Sequence, residues 1–475
     1  MARDTWTGRI GFILAAVGSA VGLGNIWRFP WMTAENGGSA FLLTYLVIVL
    51  GVGVPGLVAT FVIGRRSNLN PVGAFKSLGG SRAWSLLGGL CVLTSLALIS
   101  FYSVVGGWVL RYFVGSFTGA YFGDPAAYFD AINFGLPAFM FQILFLGITA
   151  LIVVAGVKDG IEMATKFMMP AIAILLVGLA VWASQQASAM EGYQFYLSFD
   201  ADYLANNFLE VVGSAAGQAL FTLSIGAGTM LTYASYINDD RSLPFDASLI
   251  AILNLAIGVV AGLVVFPLLF TFADGPTGGG EGALFVSIAG AFADLPAGRL
   301  IGIAFFLVVL LAALTSSISM LEIPVSYLVD QFDIDRSKAT GGMFSLVFVT
   351  GAINAFNAEV FALIAGPIVS LLMILGLMGF MFYAAWVLGP DAVDEYLSGA
   401  GPVSSAVAVP WRYAIGTVFP LFLLFSFYSD GLSVAGFSLS TTAILGLTLA
   451  TGIPFILYLR MSGSAVPSES VETSD

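Results

Sequence analysis

About twelve apolar stretches, each near the roughly 20 residues a helix needs to cross a bilayer, follow one another along this chain of 475 residues. They fall near 10–33, 40–64, 84–114, 136–156, 164–184, 208–236, 245–272, 299–330, 341–356, 360–388, 411–429 and 436–459. Lipid offers no water to a stray N–H or C=O, so each crossing must be a helix that satisfies its own backbone. Composition agrees: 59% of residues are hydrophobic and 9% charged, against about 25% charged in a soluble domain. The expected fold class is an all-α polytopic membrane protein with one membrane domain over 1–460. The remainder, 461–475, is rich in Ser, Glu and Val and is expected to be a disordered cytoplasmic tail.

Charge gives the expected orientation. With the N-terminus inside, the cytoplasmic segments hold Arg3, Arg9, Arg65, Arg66, Lys76, Arg82, Lys158, Lys166, Arg241, Arg336, Lys338, Arg412 and Arg460. The remaining basic residues are Arg28, Arg111 and Arg299, and the external loops around 118–135, 185–207 and 273–298 contain none. This is the positive-inside pattern, and it places both termini in the cytoplasm of a multi-pass cell-membrane protein. The net charge of −12 disfavours nucleic acid as a partner. Acidic loops such as "SFDADYL" and "DQFDIDR" read either as ordinary solubilising charge or as adaptation to a salt-rich medium. The single cysteine, Cys91, excludes an internal disulfide, and the lack of histidine excludes His-based metal sites and proton relays. The start of the first stretch, "RIGFILAAVGSA", has the look of a cleavable leader, but the apolar run continues through "VGLGNIWRFPW".

Two of the stretches are built to break. The first contains "SAVGLGN" at 19–25 and the sixth "TLSIGAGT" at 222–229. A glycine inside a helix costs roughly 1 kcal/mol, so clusters at matching depths five helices apart call for a use. Close helix packing through small residues is one reading. The other is unwinding, which hands free backbone groups to an ion and a solute, as in transporters with inverted repeats. Asn25 and Thr222 beside the clusters favour the second.

The motif "GLGNIWRFPWMTAENGGSAF" resembles the first-helix signature of the neurotransmitter:sodium symporter family, which has the LeuT-type fold. The stretches "GQALFTLSIGAGTMLTYASY" at 217–236 and "LAALTSSISMLEIP" at 311–324 resemble its sixth and eighth helices, and the likeness runs through essentially the whole chain. It implies about 12 transmembrane helices in a 5+5 inverted repeat with helices 1 and 6 unwound. Repeat one would cover about 9–184, repeat two about 208–388, and two extra helices about 411–459.

The resemblance also implies a site. One sodium ion would take the carbonyls of Gly18, Val21 and Ala312 and the hydroxyls of Thr315 and Ser316. Residues 312, 315 and 316 share a helix face, although such hydroxyls also bond the preceding turn. A second sodium would take the Ala20 carbonyl, Asn25, Thr222 and Asn254, unless the two asparagines simply bond each other. The solute would be an amino acid. Its carboxylate would meet that sodium, the N–H groups of Leu23 and Gly24 and the hydroxyl of Tyr102, since helix N-termini favour anions. Its ammonium would face the carbonyls of Ala20, Phe221 and Thr222 and the hydroxyl of Ser224. Monoamine carriers of the family have an aspartate where this chain has Gly22, which argues for a solute that brings its own carboxylate. The side chain would contact Leu98, Tyr102, Phe221, Ala227, Ser316 and Met320, an apolar set that disfavours charge. Many relatives are bulky at the Ala227 position, so a large aliphatic or aromatic amino acid is expected, with Leu98 and Met320 available to refill the space.

Gates and a co-ion complete the expectation. Arg28 matches the arginine of the extracellular gate, but Ala362 stands where its acidic partner is usual, leaving Glu359 as a substitute or the gate looser. Arg3, Trp6, Tyr236 and Asp330 match a cytoplasmic latch, although Arg3 and Asp330 also read as solvated loop charges. Tyr45, Gln218 and Thr222 match a chloride site. Gly258, four residues after Asn254, offers neither the usual hydroxyl nor the carboxylate of chloride-independent relatives, which leaves chloride as the source of negative charge. The implied function is sodium-coupled symport of a neutral amino acid into the cell by alternating access, using one or two sodium ions, with no enzymatic chemistry. The alternatives are a proton-coupled carrier of the same architecture, for which Glu322 is the nearby acid, and a non-transporting amino-acid sensor. The oligomeric state stays open.

Overall fold

Ten of the expected crossings are helices long and apolar enough to span a bilayer unaided in the computed structural model of the chain. These are Ser39–Ser67, Trp84–Ser116, Leu136–Val154, Val157–Ala183, Leu243–Thr271, Gly298–Phe332, Arg336–Phe356, Ala358–Leu388, Pro402–Leu432 and Thr441–Met461. The first crossing is a bent pair, Arg9–Ala20 and Gly24–Glu35, turning by 48° at its break. The sixth is likewise two pieces, Phe208–Thr222 and Thr229–Ala234. Counted in chain order, these are spans one to twelve. The broken ones open each set of five, as an inverted repeat of the LeuT type requires. The structure describes residues 6–79, 82–237, 241–272, 283–293, 295, 297–437 and 439–463, and all regular structure among them is helical. Most of the tail expected beyond 460 lies outside the described residues, and the last helix runs to Gly463.

Several helices extend past their apolar runs. The ninth starts at Arg336 rather than near 341, and the eleventh at Pro402 rather than 411. Apolarity marks where lipid lies, whereas a helix continues until its backbone is capped. Asp335 supplies such a cap, accepting from the N–H groups of Ser337 and Lys338, and Asn70 does the same ahead of Pro71–Ser77 for Val72 and Gly73. Wider turns interrupt the second, fifth and tenth spans at Val49–Gly53, Val157–Glu162, and both Ile364–Ile368 and Tyr383–Leu388. Lipid-embedded helices absorb glycine and proline through such local adjustments.

The long third and eighth spans pack along each other beside the broken pair. On its other sides small residues let the third span approach the fourth span and the short helix Pro71–Ser77. A Cβ on Gly107 would come within 2.7 Å of the Gln142 backbone, and one on Gly88 within 2.5 Å of Val72. Residues 19–27 and 222–237 are all buried, so both breaks are shielded from lipid.

Candidate functional site

The break in the first span follows from Val21, which leaves the helix in an extended conformation (φ −81°, ψ 97°). Asn25 then repairs part of the damage, its Oδ1 accepting from the Gly22 N–H at 3.3 Å. In the sixth span Ser224, Gly226 and Gly228 all take positive φ, at 51°, 94° and 87°. For Ser224 that conformation is costly, and its hydroxyl is anchored by donating to the Ser19 carbonyl at 2.9 Å. The two interruptions therefore touch each other directly.

Oxygen atoms gather at two places. Between the first and eighth spans, the Thr315 hydroxyl bonds the carbonyls of Ala312 at 2.9 Å and Val21 at 3.2 Å, with Gly18 packed against its Cβ. The bond to Ala312 is the within-helix one weighed from sequence. Ser316 turns the other way, donating to the Ser19 carbonyl at 3.1 Å, and so lies on the cavity side of this cluster. Between the first, sixth and seventh spans, Asn25, Thr222 and Asn254 form a closed buried network. Asn25 Nδ2 donates to Asn254 O and Oδ1, both at 3.0 Å, and the Thr222 hydroxyl donates to Asn25 Oδ1 at 3.0 Å. The asparagine–asparagine bond kept as an alternative is thus made, within the same oxygen set.

A cavity adjoins both clusters. Its lining includes Ala20, Gly22, Gly24, Leu98, Tyr102, Phe221, Ser224, Ala227, Ser316 and Met320, all expected, together with Ser19, Thr229 and Met373. None of these carries a charge. At one end the Leu23 N–H donates to the Tyr102 hydroxyl at 3.1 Å, which brings together the two groups expected to meet a carboxylate. The cavity is closed down: about 10 Å³ admits the centre of a water-sized sphere, room for roughly one water molecule. Ser19 and Thr229 could have been found as neighbours of the glycine clusters. Met373, one apolar residue among many in the tenth span, gave no sign.

The gates differ from expectation. Glu359 is exposed and makes no ion pair among the described residues, so it does not substitute for the missing acid. Its position in the first turn of Ala358–Leu363 leaves it facing outward. Arg28 instead donates to Gln218 Oε1 at 3.2 Å and lies over the Phe221 ring at 4.9 Å. At the opposite face Trp6 and Tyr236 do meet, their rings 6.1 Å apart, and the Trp6 indole donates to Tyr233 O at 3.0 Å. Arg3 lies outside the described residues. Asp330 accepts from the N–H and Nδ2 of Asn70 at 3.2 and 3.0 Å, a structural bond that a solvated loop acid would not make. The N-terminal segment is held further by Glu162, which accepts from the Thr7 N–H at 2.9 Å and pairs with Lys166 at 2.6 Å. Arg9 and Arg241 clamp the buried Asp246 at 2.7 and 3.0 Å.

Glu322 is fully buried, paired with Arg336 at 2.5 Å and bonded by the Tyr236 hydroxyl at 3.0 Å. Removing one partner of a buried pair costs about 3–5 kcal/mol. Glu322→Gln should therefore lower the thermal unfolding midpoint of the detergent-purified protein by several degrees. An unchanged midpoint would show the pair to be dispensable for stability.

At the expected chloride site the Tyr45 hydroxyl is buried without a completed hydrogen bond, next to Thr222 and Asn254. Gln218 is partly committed elsewhere, its Nε2 donating to the Gly24 carbonyl at 2.7 Å, which leaves one of its two N–H donors. A buried donor without an acceptor suits an anion, so the residues present fit one.

The model of the sodium:neurotransmitter symporter family matches residues 3–122 and 133–438. An uncharacterised sodium-dependent transporter of Bacillus subtilis is 32% identical over 89% of this chain and 96% of its own length. Another, from Methanocaldococcus jannaschii, is 32% identical over 91% and 92%. Among solved structures, MhsT in complex with L-phenylalanine superposes with a TM-score of 0.81 at 34% identity, over 90% of this chain and 100% of that one.

Proposed function

Because the chain belongs to the sodium:neurotransmitter symporter family, whose members are sodium-dependent transporters, we propose that it carries a neutral, hydrophobic amino acid into the cell by alternating access. One observation carries this reading: a cavity without charged side chains has polar backbone at its broken-helix end and Leu98, Ala227, Met320 and Met373 elsewhere. A zwitterion supplies both of its own charges, so such a site suits it. The phenylalanine bound by MhsT supports the same class. Sodium would use Gly18, Val21, Ala312, Thr315 and Ser316, and a second ion Ala20, Asn25, Thr222 and Asn254. The protein would sit in the cell membrane with both termini cytoplasmic.

The first and sixth spans would move together against the rest, with ions and solute favouring closure through their differential affinity for the closed state. Two sodium ions with a zwitterion move two charges. At about 100 mV each contributes about 2.3 kcal/mol, so the potential alone supports about three decades of accumulation at about 1.4 kcal/mol per decade. Proton coupling loses its nearby acid, since Glu322 is held by Arg336 and Tyr236. The test is uptake of labelled leucine into proteoliposomes under a sodium gradient, challenged with each amino acid. Uptake driven by pH without sodium would overturn the reading, as would binding without accumulation.

Chloride would use Tyr45, Gln218 and Thr222. A Cβ on Gly258 would meet nothing closer than Asn25 Nδ2 at 3.6 Å, so a side chain can enter there. Removing chloride should slow wild-type uptake, and Gly258→Glu should remove that dependence by supplying the charge. Equal rates with and without chloride in the wild type would reject the anion.

A further inference from the structure

The face of the third span that points away from the solute cavity carries a further buried polar cluster. Leu98 and Tyr102 line the cavity, and at 3.6 residues per turn Ser100, Ser103 and Gly107 fall on the far side of the helix. Gln142 of the fourth span is wedged there between two glycines. A Cβ on Gly107 would come within 2.7 Å of its backbone N, and one on Gly351 of the ninth span would run into its Nε2. Gln142 Nε2 donates to Ser103 Oγ at 3.3 Å. Asn354, one turn beyond Gly351, donates through Nδ2 to Ser100 Oγ at 2.7 Å and to Thr350 O at 2.9 Å. The Ser103 hydroxyl donates to the Ser100 carbonyl at 3.1 Å, so the two amides belong to one connected set of groups. Both residues are 0% exposed, yet Gln142 Oε1 and Asn354 Oδ1 have no hydrogen-bond partner. They are the only buried side-chain carbonyl oxygens without a donor among the described residues.

A buried acceptor left without a donor is unfavourable, and lipid cannot supply one. The residues of this cluster carry no charge, so what they call for is a neutral donor rather than a cation. Water has that chemistry: a buried water makes about three hydrogen bonds, to polar groups otherwise unsatisfied. We propose that an ordered water is bound between the third, fourth and ninth spans, where it donates to Gln142 Oε1 and Asn354 Oδ1. It ties these spans together directly behind the wall that presents Leu98 and Tyr102 to the solute cavity. The site is separate from the cavity and does not depend on which solute is carried.

Two measurements on the intact, detergent-purified chain test the site. An experimental structure at a resolution that shows single waters should contain an isolated peak about 2.8 Å from both oxygens. No peak there, or a turned Gln142 amide bonded directly to Asn354, would overturn the assignment. The second measurement is the sign of a stability change. Gln142→Met keeps the length of the side chain and removes the amide. With a water bound, it strips that water of a partner, and the thermal midpoint should fall by a few degrees. With no water, it relieves an orphan carbonyl at the expense of one long hydrogen bond, so a midpoint that holds or rises would reject the site. The fall should be equal in sodium and choline salts; a fall confined to sodium would identify a cation and reject the water. The structural measurement needs no variant, so failure of Gln142→Met to fold leaves the test standing.

Discussion

Thr315→Ala should abolish sodium-dependent uptake and leave the fold intact. The threonine hydroxyl sits between the carbonyls of Ala312 and Val21, at 2.9 and 3.2 Å, with Gly18 against its Cβ. It therefore joins the eighth span to the broken first one at the point where neutral oxygens converge. A monovalent cation taken from water needs each of those oxygens, since a buried charge with an incomplete shell is strongly disfavoured. The removed group is small and its alanine replacement leaves the helix unharmed. Sodium that binds only the folded protein raises its stability by about 2.7 kcal/mol at a hundred times its dissociation constant. Wild-type protein should therefore melt higher in sodium than in a potassium or choline salt. Thr315→Ala should lose that increment while keeping the sodium-free melting point, and Thr315→Ser should retain most of it. An equal sodium increment in Thr315→Ala and wild type would remove Thr315 from the ion site.

Much of this arrangement was legible in the chain because it is written in local terms. The apolar runs gave the crossings, and the glycine clusters at 19–25 and 222–229 marked where helices stop, since few residues other than glycine accept the φ values seen at Gly226 and Gly228. The convergence of Asn25, Thr222 and Asn254 was legible through likeness. What was not legible depends on which surfaces meet. Glu359 had the right charge near the right place, but its helix turns it outward, and Arg28 is held by Gln218 and Phe221 instead. Met373 lines the cavity only because Gly226 and Gly376 bring two backbones together. Glu322 was the acid weighed for proton coupling, and the sequence assigned no role to Glu162 or Asp246. Each proves to be a buried anchor, with Lys166, Arg9 and Arg241, and Arg336 respectively as its basic partner.

Gly22→Asp should eliminate uptake of every amino acid and confer no uptake of amines. From sequence, Gly22 argued for a zwitterion because an aspartate there would serve a cation lacking its own carboxylate. The structure adds a steric reason. A Cβ at this position would overlap the Ser316 hydroxyl and stand 2.9 Å from the Tyr102 hydroxyl and 3.0 Å from the Ser316 Cβ. Both neighbours are hydrogen-bonded where they stand. Ser316 is tied to the Ser19 carbonyl at 3.1 Å, and Tyr102 to the Leu23 N–H at 3.1 Å. Overpacking a close-fitting site costs about 1–3 kcal/mol, so Gly22→Ala alone should reduce uptake roughly ten- to a hundredfold at about 1.4 kcal/mol per decade. Aspartate adds a buried charge with no basic residue in the cavity lining, which costs several kcal/mol more. The graded series separates the two causes. If shape dominates, Gly22→Ala is already severely impaired. If only charge matters, Gly22→Ala transports normally and Gly22→Asp gains sodium-driven uptake of an aromatic amine. The second outcome would mean that the first, third and eighth spans give way at Gly22, against the tight packing that Ser316 and Tyr102 impose.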